Sequence, residues 1–242
     1  MDTSKVLFRC SALGKLMTEP KLKVDKEKGN LSEGAKSYVV EVYVTEKYKR
    51  HQDFTSKYLE KGLMVEEDSI TLYSRIKKEF FQKNEDLLKN EFIKGTPDIF
   101  VGETIHNAEV IIDIKSSWDI FTFFKNYTKD VKSDYYWQLQ GYMALTGAKK
   151  SRLAYCLVNT PQILIDDEKR RLIYKMNVAT DENEDYKNAC DEMDFSMIYD
   201  DIPFKNRLLE FEIERDEEAI QKIYTNVAKA REFLFNLDKQ LE

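Results

Sequence analysis

The strongest constraint on this chain is a strand pattern that carries two charges. Residues 108–115 read Ala-Glu-Val-Ile-Ile-Asp-Ile-Lys, rich in β-branched residues and of strand length. Side chains alternate across a sheet, so Asp113 and Lys115 share one face while Ala108, Val110, Ile112 and Ile114 take the other. A buried acid and lysine are costly unless they are paired or bound to a cation. A salt bridge at a strand end satisfies that demand, and so does a built polar site; spacing alone leaves both open.

Upstream, Thr96-Pro97-Asp98 sets a second acid behind a proline, which fixes its own backbone and lacks an N–H. Pro-Asp is also common turn chemistry. Strands are expected at residues 91–94, 98–101 and 108–115, with a turn at 102–107, so the two acids fall on adjacent strands. Two carboxylates suit a hard divalent cation, and a neighbouring lysine can orient water or steady charge building on phosphorus.

Two helices offer further polar groups. A short helix is expected from Ser11 to Met17, an exposed loop over residues 20–31, a helix from the N-cap Ser32 to about Arg50, and a long helix over residues 55–82. On the long helix Leu59, Leu63, Ile70, Tyr73 and Phe80 recur at helical spacing, and Glu66 falls on that stripe while Glu67 faces solvent. The alternative for Glu66 is a stripe-edge carboxylate reaching water. A later helix over 133–146 ends at Gly147. It places Gln138 and Tyr142, four apart, on one face, with Gln140 on another.

Residues 151–159 read as a strand, Pro161 opens a helix, and residues 177–203 are acidic and partly helical. Residues 208–214 alternate as a strand, and Asp216 caps a last helix reaching nearly to Glu242. The fold class expected is α/β, a mixed central sheet flanked by helices. One domain is expected over 1–242: a helical N-terminal part (about 1–82), a core (about 83–160) and a helix-strand-helix extension (about 161–242).

Composition narrows the function classes. The chain is 42% hydrophobic, enough for a substantial core, with a net charge of −6, which does not describe a protein that coats nucleic acid. Cys10, Cys156 and Cys190 are odd in number and far apart, fitting neither a disulfide framework nor a zinc or iron–sulfur spacing. No apolar run reaches membrane-spanning length, and Met1-Asp2-Thr3-Ser4-Lys5 lacks the apolar core of a signal peptide, so a cytoplasmic protein is expected.

Taken in order, Gly62-x-x-x-Glu66, Pro97-Asp98, Asp113-Ile114-Lys115 and Gln138-x-x-x-Tyr142 resemble the PD-(D/E)XK nuclease superfamily, above all its phage lambda-exonuclease (YqaJ-like) and RecB-like branches. The resemblance runs from about Ser11 to about Val158, and the C-terminal third is less diagnostic. It implies a restriction-endonuclease-like fold and Mg2+ as cofactor, with Mn2+ substituting and no iron–sulfur cluster. It implies that Asp98, Asp113 and the Ile114 carbonyl bind metal, with Glu66 completing the site directly or through water. Asp113 stands where many relatives carry Glu. Lys115 would position or activate the attacking water. Gln138 and Tyr142 would support the site, Gln140 being an alternative alignment for the glutamine.

In the lambda-exonuclease branch an early serine-containing helix start receives a DNA 5′-phosphate, and Ser11 and Arg9 fall at that place, although simple N-capping by Ser11 is the competing role. Lys125, Lys129 and Lys132 follow the catalytic strand together with Trp118, Phe124 and Tyr127, a mixture suited to a nucleic-acid groove, with most of those rings expected in the core. Lys149, Lys150 and Arg152 are either a second contact or a solvated turn. His51 and His106 receive no catalytic role.

The function expected is metal-dependent hydrolysis of DNA phosphodiesters, as an exonuclease on linear duplex in phage-type recombination. The implied partners are DNA, a single-strand annealing protein and further copies of the chain, with no membrane. The alternatives are a structure-selective or nicking endonuclease, a non-catalytic nucleic-acid-binding module on the same fold, and an RNA nuclease.

Overall fold

The computed structural model describes residues 1–52, 56–178 and 180–241. The chain enters through β1 (Phe8–Arg9) and a 3-10 turn, Cys10–Ala12, that runs into α1 (Leu13–Leu16). Ser11 lies inside that turn, and neither Arg9 nor Ala12, the two flanking caps, makes a side-chain capping bond, so the capping role expected of Ser11 is not made. The expected loop at 20–31 contains α2 (Lys23–Glu27). Ser32 does cap α3 (Glu33–Tyr48), its hydroxyl accepting from the Ala35 N–H at 3.0 Å.

The long helix expected over 55–82 is two helices, α4 (Lys57–Met64) and α5 (Glu66–Lys77); Thr55 lies outside the described residues. The break falls at Val65, whose backbone leaves the helical region (φ −109°, ψ 15°) so that its side chain drops into the core. The apolar stripe is therefore not one stripe. Of its residues Ile70 and Tyr73 are buried as expected, Leu59, Leu63 and Phe80 are exposed, and Val65 and Leu72 join the buried set. Lys61, which no periodicity singles out, is only 1% exposed; its side-chain nitrogen donates to the carbonyls of Ser117 and Trp118, each at 2.8 Å, and burial pulls its pKa down to about 7.

After an irregular stretch come β2 (Leu88–Lys89), β3 (Ile93–Gly95), β4 (Ile99–Val101) and β5 (Val110–Ser116). Ala108 precedes β5 and packs with a different cluster from Ile112 and Ile114, contrary to the expected shared face. Then follow α6 (Ile120–Lys125) and α7 (Ser133–Thr146), which Gly147 ends in the left-handed region (φ 80°). The chain closes with β6 (Lys150–Cys156), α8 (Gln162–Met176), α9 (Glu184–Met197), β7 (Leu208–Glu214) and α10 (Glu217–Gln240). Asp216 caps α10 through the Ala219 N–H at 3.0 Å; Glu242 lies outside the described residues.

Among the described residues the main sheet has the order β4-β5-β6-β7, with β5 and β6 parallel and the outer pairs antiparallel. A parallel neighbour needs a crossover, and α6 with α7 supplies it. One face of the sheet (Ile111, Leu153, Tyr155) packs under α7, α1, α3 and α10, and the other (Ile112, Ile114, Ala154) packs on α5. This mixed α/β architecture matches the expected fold class. Lys150 and Arg152 pair with Glu210, Glu212 and Glu214 across β6–β7, which uses them within the sheet rather than as a second nucleic-acid contact. On α10, Ile220, Ile223 and Val227 are buried, and Phe235 is exposed.

The helical layer over the site closes tightly where α1 crosses the start of α7. A Cβ on Gly14 would lie 2.6 Å from the Asp134 Cα, a backbone atom that cannot swing away. Gly14→Ala gains about 1 kcal/mol of helix propensity. Forcing α1 off α7 costs about 1–3 kcal/mol. The variant is expected to unfold at lower urea concentration than the native protein, with a net loss of up to about 2 kcal/mol; a midpoint above the native one would show that the two helices are free to separate.

Candidate active site

The β4–β5 register brings the two acids together. Ile99 pairs with Ile112, so one step further along the antiparallel ladder Asp98 stands opposite Asp113. Directly opposed residues share a face, and like charges there repel. The structure answers with hydrogen bonds and a cation. The Ile114 N–H donates to Asp98 Oδ2 at 2.7 Å. A strand residue sends its N–H and C=O to the same side, so the Ile114 carbonyl leaves that same edge. Asp113 is fully buried. Its Oδ1 accepts from Gln138 Nε2 at 2.9 Å, and the Lys115 ammonium lies against Oδ2 as an ion pair, with no aligned hydrogen bond reaching that oxygen.

Gln138 reaches Asp113 from α7, the helix packed over this face. Its amide nitrogen also donates to the Tyr142 hydroxyl at 3.0 Å, which fixes the amide with its nitrogen toward the acid. Burial, then Asp113 and Asp98, push the Tyr142 hydroxyl well above its ordinary value, so it stays neutral. Tyr135, from the same helix, presents its ring to Lys115, whose Nζ is 5.3 Å from the centroid.

Electrostatics in this nest are governed by loss of water. Burial, then Asp113, push the Asp98 carboxyl up to about 7, against the pull of Lys115 and the Ile114 N–H; Glu66 adds a smaller push. Burial works against the Lys115 ammonium, but Asp113 and Asp98 outweigh it and raise its pKa. Asp98, the Asp113 oxygen that only Lys115 faces and a strand-edge carbonyl make an all-oxygen set held in low dielectric, the donor chemistry a hard divalent cation takes.

Glu66 does not complete that set here. Among the described residues no three His, Cys, Asp or Glu side chains converge as a metal-holding group. Glu66 opens α5 close enough to Asp98 to push its carboxyl up, but its Oε2 is turned to Lys83 Nζ at 2.6 Å. Glu67 is exposed, as its spacing requires. Gln140 lies away from the acids: it donates to the Glu214 carbonyl and accepts from the Asp216 N–H, both at 2.9 Å, and so braces the β7–α10 corner. Of the two glutamines, Gln138 is the one that meets Asp113.

The flanks differ from expectation as well. Trp118 and Phe123 are buried, but Phe124 and Tyr127, expected in the core, are exposed and stack on each other at 5.6 Å. Lys125, Lys129 and Lys132 are exposed on this same segment, and Lys132 Nζ lies 5.6 Å from the centroid of Tyr135. Arg9 and Ser11, with Tyr38, Arg50, His51 and Lys94, line a cleft of about 650 Å³. Lys61, Lys83 and Asn84 escaped sequence reasoning. Lys61 sits on a helix whose other apolar residues face solvent, and the latter two belong to a segment without periodicity, so their only signal is tertiary.

No protein-family model matches the sequence, and no curated protein does. Solved structures do. A phage related exonuclease from Haemophilus somnus 129PT is 32% identical, with 98% of this chain and 97% of that chain covered and a TM-score of 0.77. An alkaline exonuclease from Laribacter hongkongensis, LHK-Exo, shares the fold at 18% identity, with 99% and 92% covered and a TM-score of 0.63. LHK-Exo in complex with dAMP gives 17% identity, 99% and 96% coverage and a TM-score of 0.62. The likeness therefore continues through the C-terminal third, past the expected limit at Val158.

The raised Asp98 pKa carries a stability consequence. The folded protein keeps the proton up to about pH 7 where the unfolded chain loses it near 3.8, so this acid's contribution is present at low pH and drains away as pH rises through that window. Without divalent metal, Asp98→Asn is expected to be more stable than the native protein at pH 8 by roughly 1–3 kcal/mol, the gap closing as pH falls toward 4. Thermal melts in chelator across that range measure it, and a gap independent of pH would mean that Asp98 is solvated.

Proposed function

We propose, on the footing that this chain belongs to the lambda-exonuclease-like family of PD-(D/E)XK nucleases, that it is a divalent-metal-dependent deoxyribonuclease that degrades linear duplex DNA from its ends. The observation that carries the reading is the arrangement around β5. Asp98 and Asp113 face each other at a strand end, with Lys115 and Gln138 on Asp113 and the Ile114 N–H on Asp98.

In this reading Asp98, Asp113 and the Ile114 carbonyl hold Mg2+, or Mn2+ in its place. When bound, the ion neutralises charge on the phosphoryl oxygens and lowers the pKa of water. Gln138 orients the Asp113 carboxylate, and Tyr142 holds the Gln138 amide in that orientation. Lys115 stays an ammonium between two acids, so it orients water and steadies charge on the phosphate rather than taking a proton.

DNA as substrate rests on two supports. Lys125, Lys129 and Lys132 lead away from the site with the Phe124–Tyr127 stack, offering charge to phosphates and rings to unstacked bases. The fold neighbour solved with dAMP held a deoxynucleoside monophosphate, the kind of product a DNA exonuclease releases. Arg9 and Ser11 are assigned to the 5′-phosphate end, in the cleft that they line with Arg50 and with Glu41 and Glu46. A single-strand annealing protein and further copies of this chain are partners that follow from the family. Among the described residues no helix is long and apolar enough to cross a membrane.

Incubation with Mg2+ and end-labelled linear duplex, closed circles, single strands and RNA tests the reading. Linear duplex is expected to disappear while circles persist, chelator is expected to stop the reaction, and Asp113→Asn or Lys115→Ala is expected to slow it by about 10²–10³-fold. Cut circles would replace the exonuclease with an endonuclease. Binding without cleavage in either Mg2+ or Mn2+ would leave a nucleic-acid-binding module.

A further inference from the structure

Lys83 is a lysine that the nuclease reading leaves without a task. It pairs with Glu66 at 2.6 Å, and the two side chains are 36% and 22% exposed, so the pair is only partly in water. Its backbone is not free. The next residue, Asn84, is buried and clamped to the turn that carries the acid: the Asn84 N–H donates to the Asp98 carbonyl at 2.7 Å, and Nδ2 donates to the Pro97 carbonyl at 3.0 Å. Lys83 is thus docked on the Pro97-Asp98 segment, and only the ammonium end of a long stem can move. Beside it lies a cleft of about 730 Å³ lined by Glu67, Arg75, Phe80 and Asn84, among others, which gives that end room to move.

Glu66 is the acid that the family pattern brings to the metal, yet here it is turned to a cation of the chain's own. A carboxylate that must wait in a partly dry site without its ion is stabilised by any nearby positive charge. From this we propose that Lys83 is the resident counter-ion of Glu66, and that a divalent ion entering the site displaces its ammonium from that carboxylate. The exchange sets the metal affinity: the entering ion gains Glu66 only by breaking an existing ion pair. Once released, the ammonium remains tethered beside Asp98 by the Asn84 clamp. The inference rests on the nuclease reading for the identity of the site, but it can fail while that reading stands.

The full-length chain is titrated with Mn2+ alone, with free ion followed by electron paramagnetic resonance, so that the readout is binding rather than cleavage. Lys83→Met is expected to bind Mn2+ about three- to fivefold more tightly than the native protein, the scale of one partly exposed ion pair. In the double variant Glu66→Gln with Lys83→Met the gain is expected to vanish, because the carboxylate for which ion and lysine compete is gone. Lys83→Gln, which keeps a polar end, is expected to give the same gain and covers the case in which the methionine variant fails to fold. Unchanged or weaker Mn2+ binding in both lysine variants overturns the proposal. Should the native chain and its Asp98→Asn and Asp113→Asn variants all bind no Mn2+, the metal-dependent nuclease reading itself falls and this inference falls with it.

Discussion

One hydrogen bond organises the site: the Ile114 N–H to the Asp98 carboxylate. β4 is too short to carry its ladder to the end of β5, so the Ile114 N–H would otherwise leave the sheet without an acceptor. A buried unpaired N–H costs free energy comparable to a lost hydrogen bond. The Asp98 side chain supplies the acceptor that the missing backbone would have given. That brings a carboxylate to the place where Asp113, one residue earlier on β5, already projects. Pro97 makes the substitution possible, since it offers no N–H to extend the ladder and its carbonyl is taken by Asn84.

The rest of the layer over the site is the cost of keeping those acids dry and apart. Opposed carboxylates at the end of a sheet would spread or take up a proton, and the raised Asp98 pKa is the second response. The first is prevented by packing. Asp113 is pinned by Gln138, Gln138 is shared with Tyr142, and Tyr142 fills the space over Gly95, where a Cβ would come within 2.7 Å of its ring. Gly95 lies on β3, in the small sheet whose β1 leads into the turn carrying Ser11. The close approach of that sheet to α7 and the orientation of Gln138 are therefore one packing problem, solved by the absence of a side chain.

What the sequence made legible was what local physics decides. The β5 alternation, the caps Ser32 and Asp216, and the stop at Gly147 each depend on a few neighbouring residues, and each stands in the structure within a residue or two. The pairing of Gln138 with Tyr142 needed only a helix. What was not legible depends on partners far along the chain. Val65 breaks a helix because a core beneath the sheet takes its side chain, and this exposes Leu59, Leu63 and Phe80 despite their spacing. Gln140 and Gln138 are two apart on one helix, but only the arrival of β7 sends one of them to a backbone corner. Glu66 was placed by a stripe of which Ile70 and Tyr73 are buried and Leu59, Leu63 and Phe80 are not. It nevertheless stands at the sheet's end, because the break at Val65 makes it the first residue of α5.

An acidic chain can still present a positive surface where it matters. Net charge is −6, yet the placement of the lysines is uneven. On the far edge of the sheet Lys150 and Arg152 are consumed by Glu210, Glu212 and Glu214, and Lys169 by Asp194. On the segment that leaves β5, among the described residues, Lys125, Lys129 and Lys132 form no ion pair, and Lys132 shares the Tyr135 ring with Lys115. Fields from paired charges fall off quickly, while unpaired ones reach about a Debye length, roughly 8–10 Å at physiological salt. Asp130 and Asp134 stand among these lysines, so residues 125–134 carry +1 in a chain of net charge −6, a local departure from the average. Lys61 fixes the start of the segment that leaves β5: its side-chain nitrogen, whose pKa burial pulls down to about 7, grips the carbonyls of Ser117 and Trp118 where the chain departs from the acids.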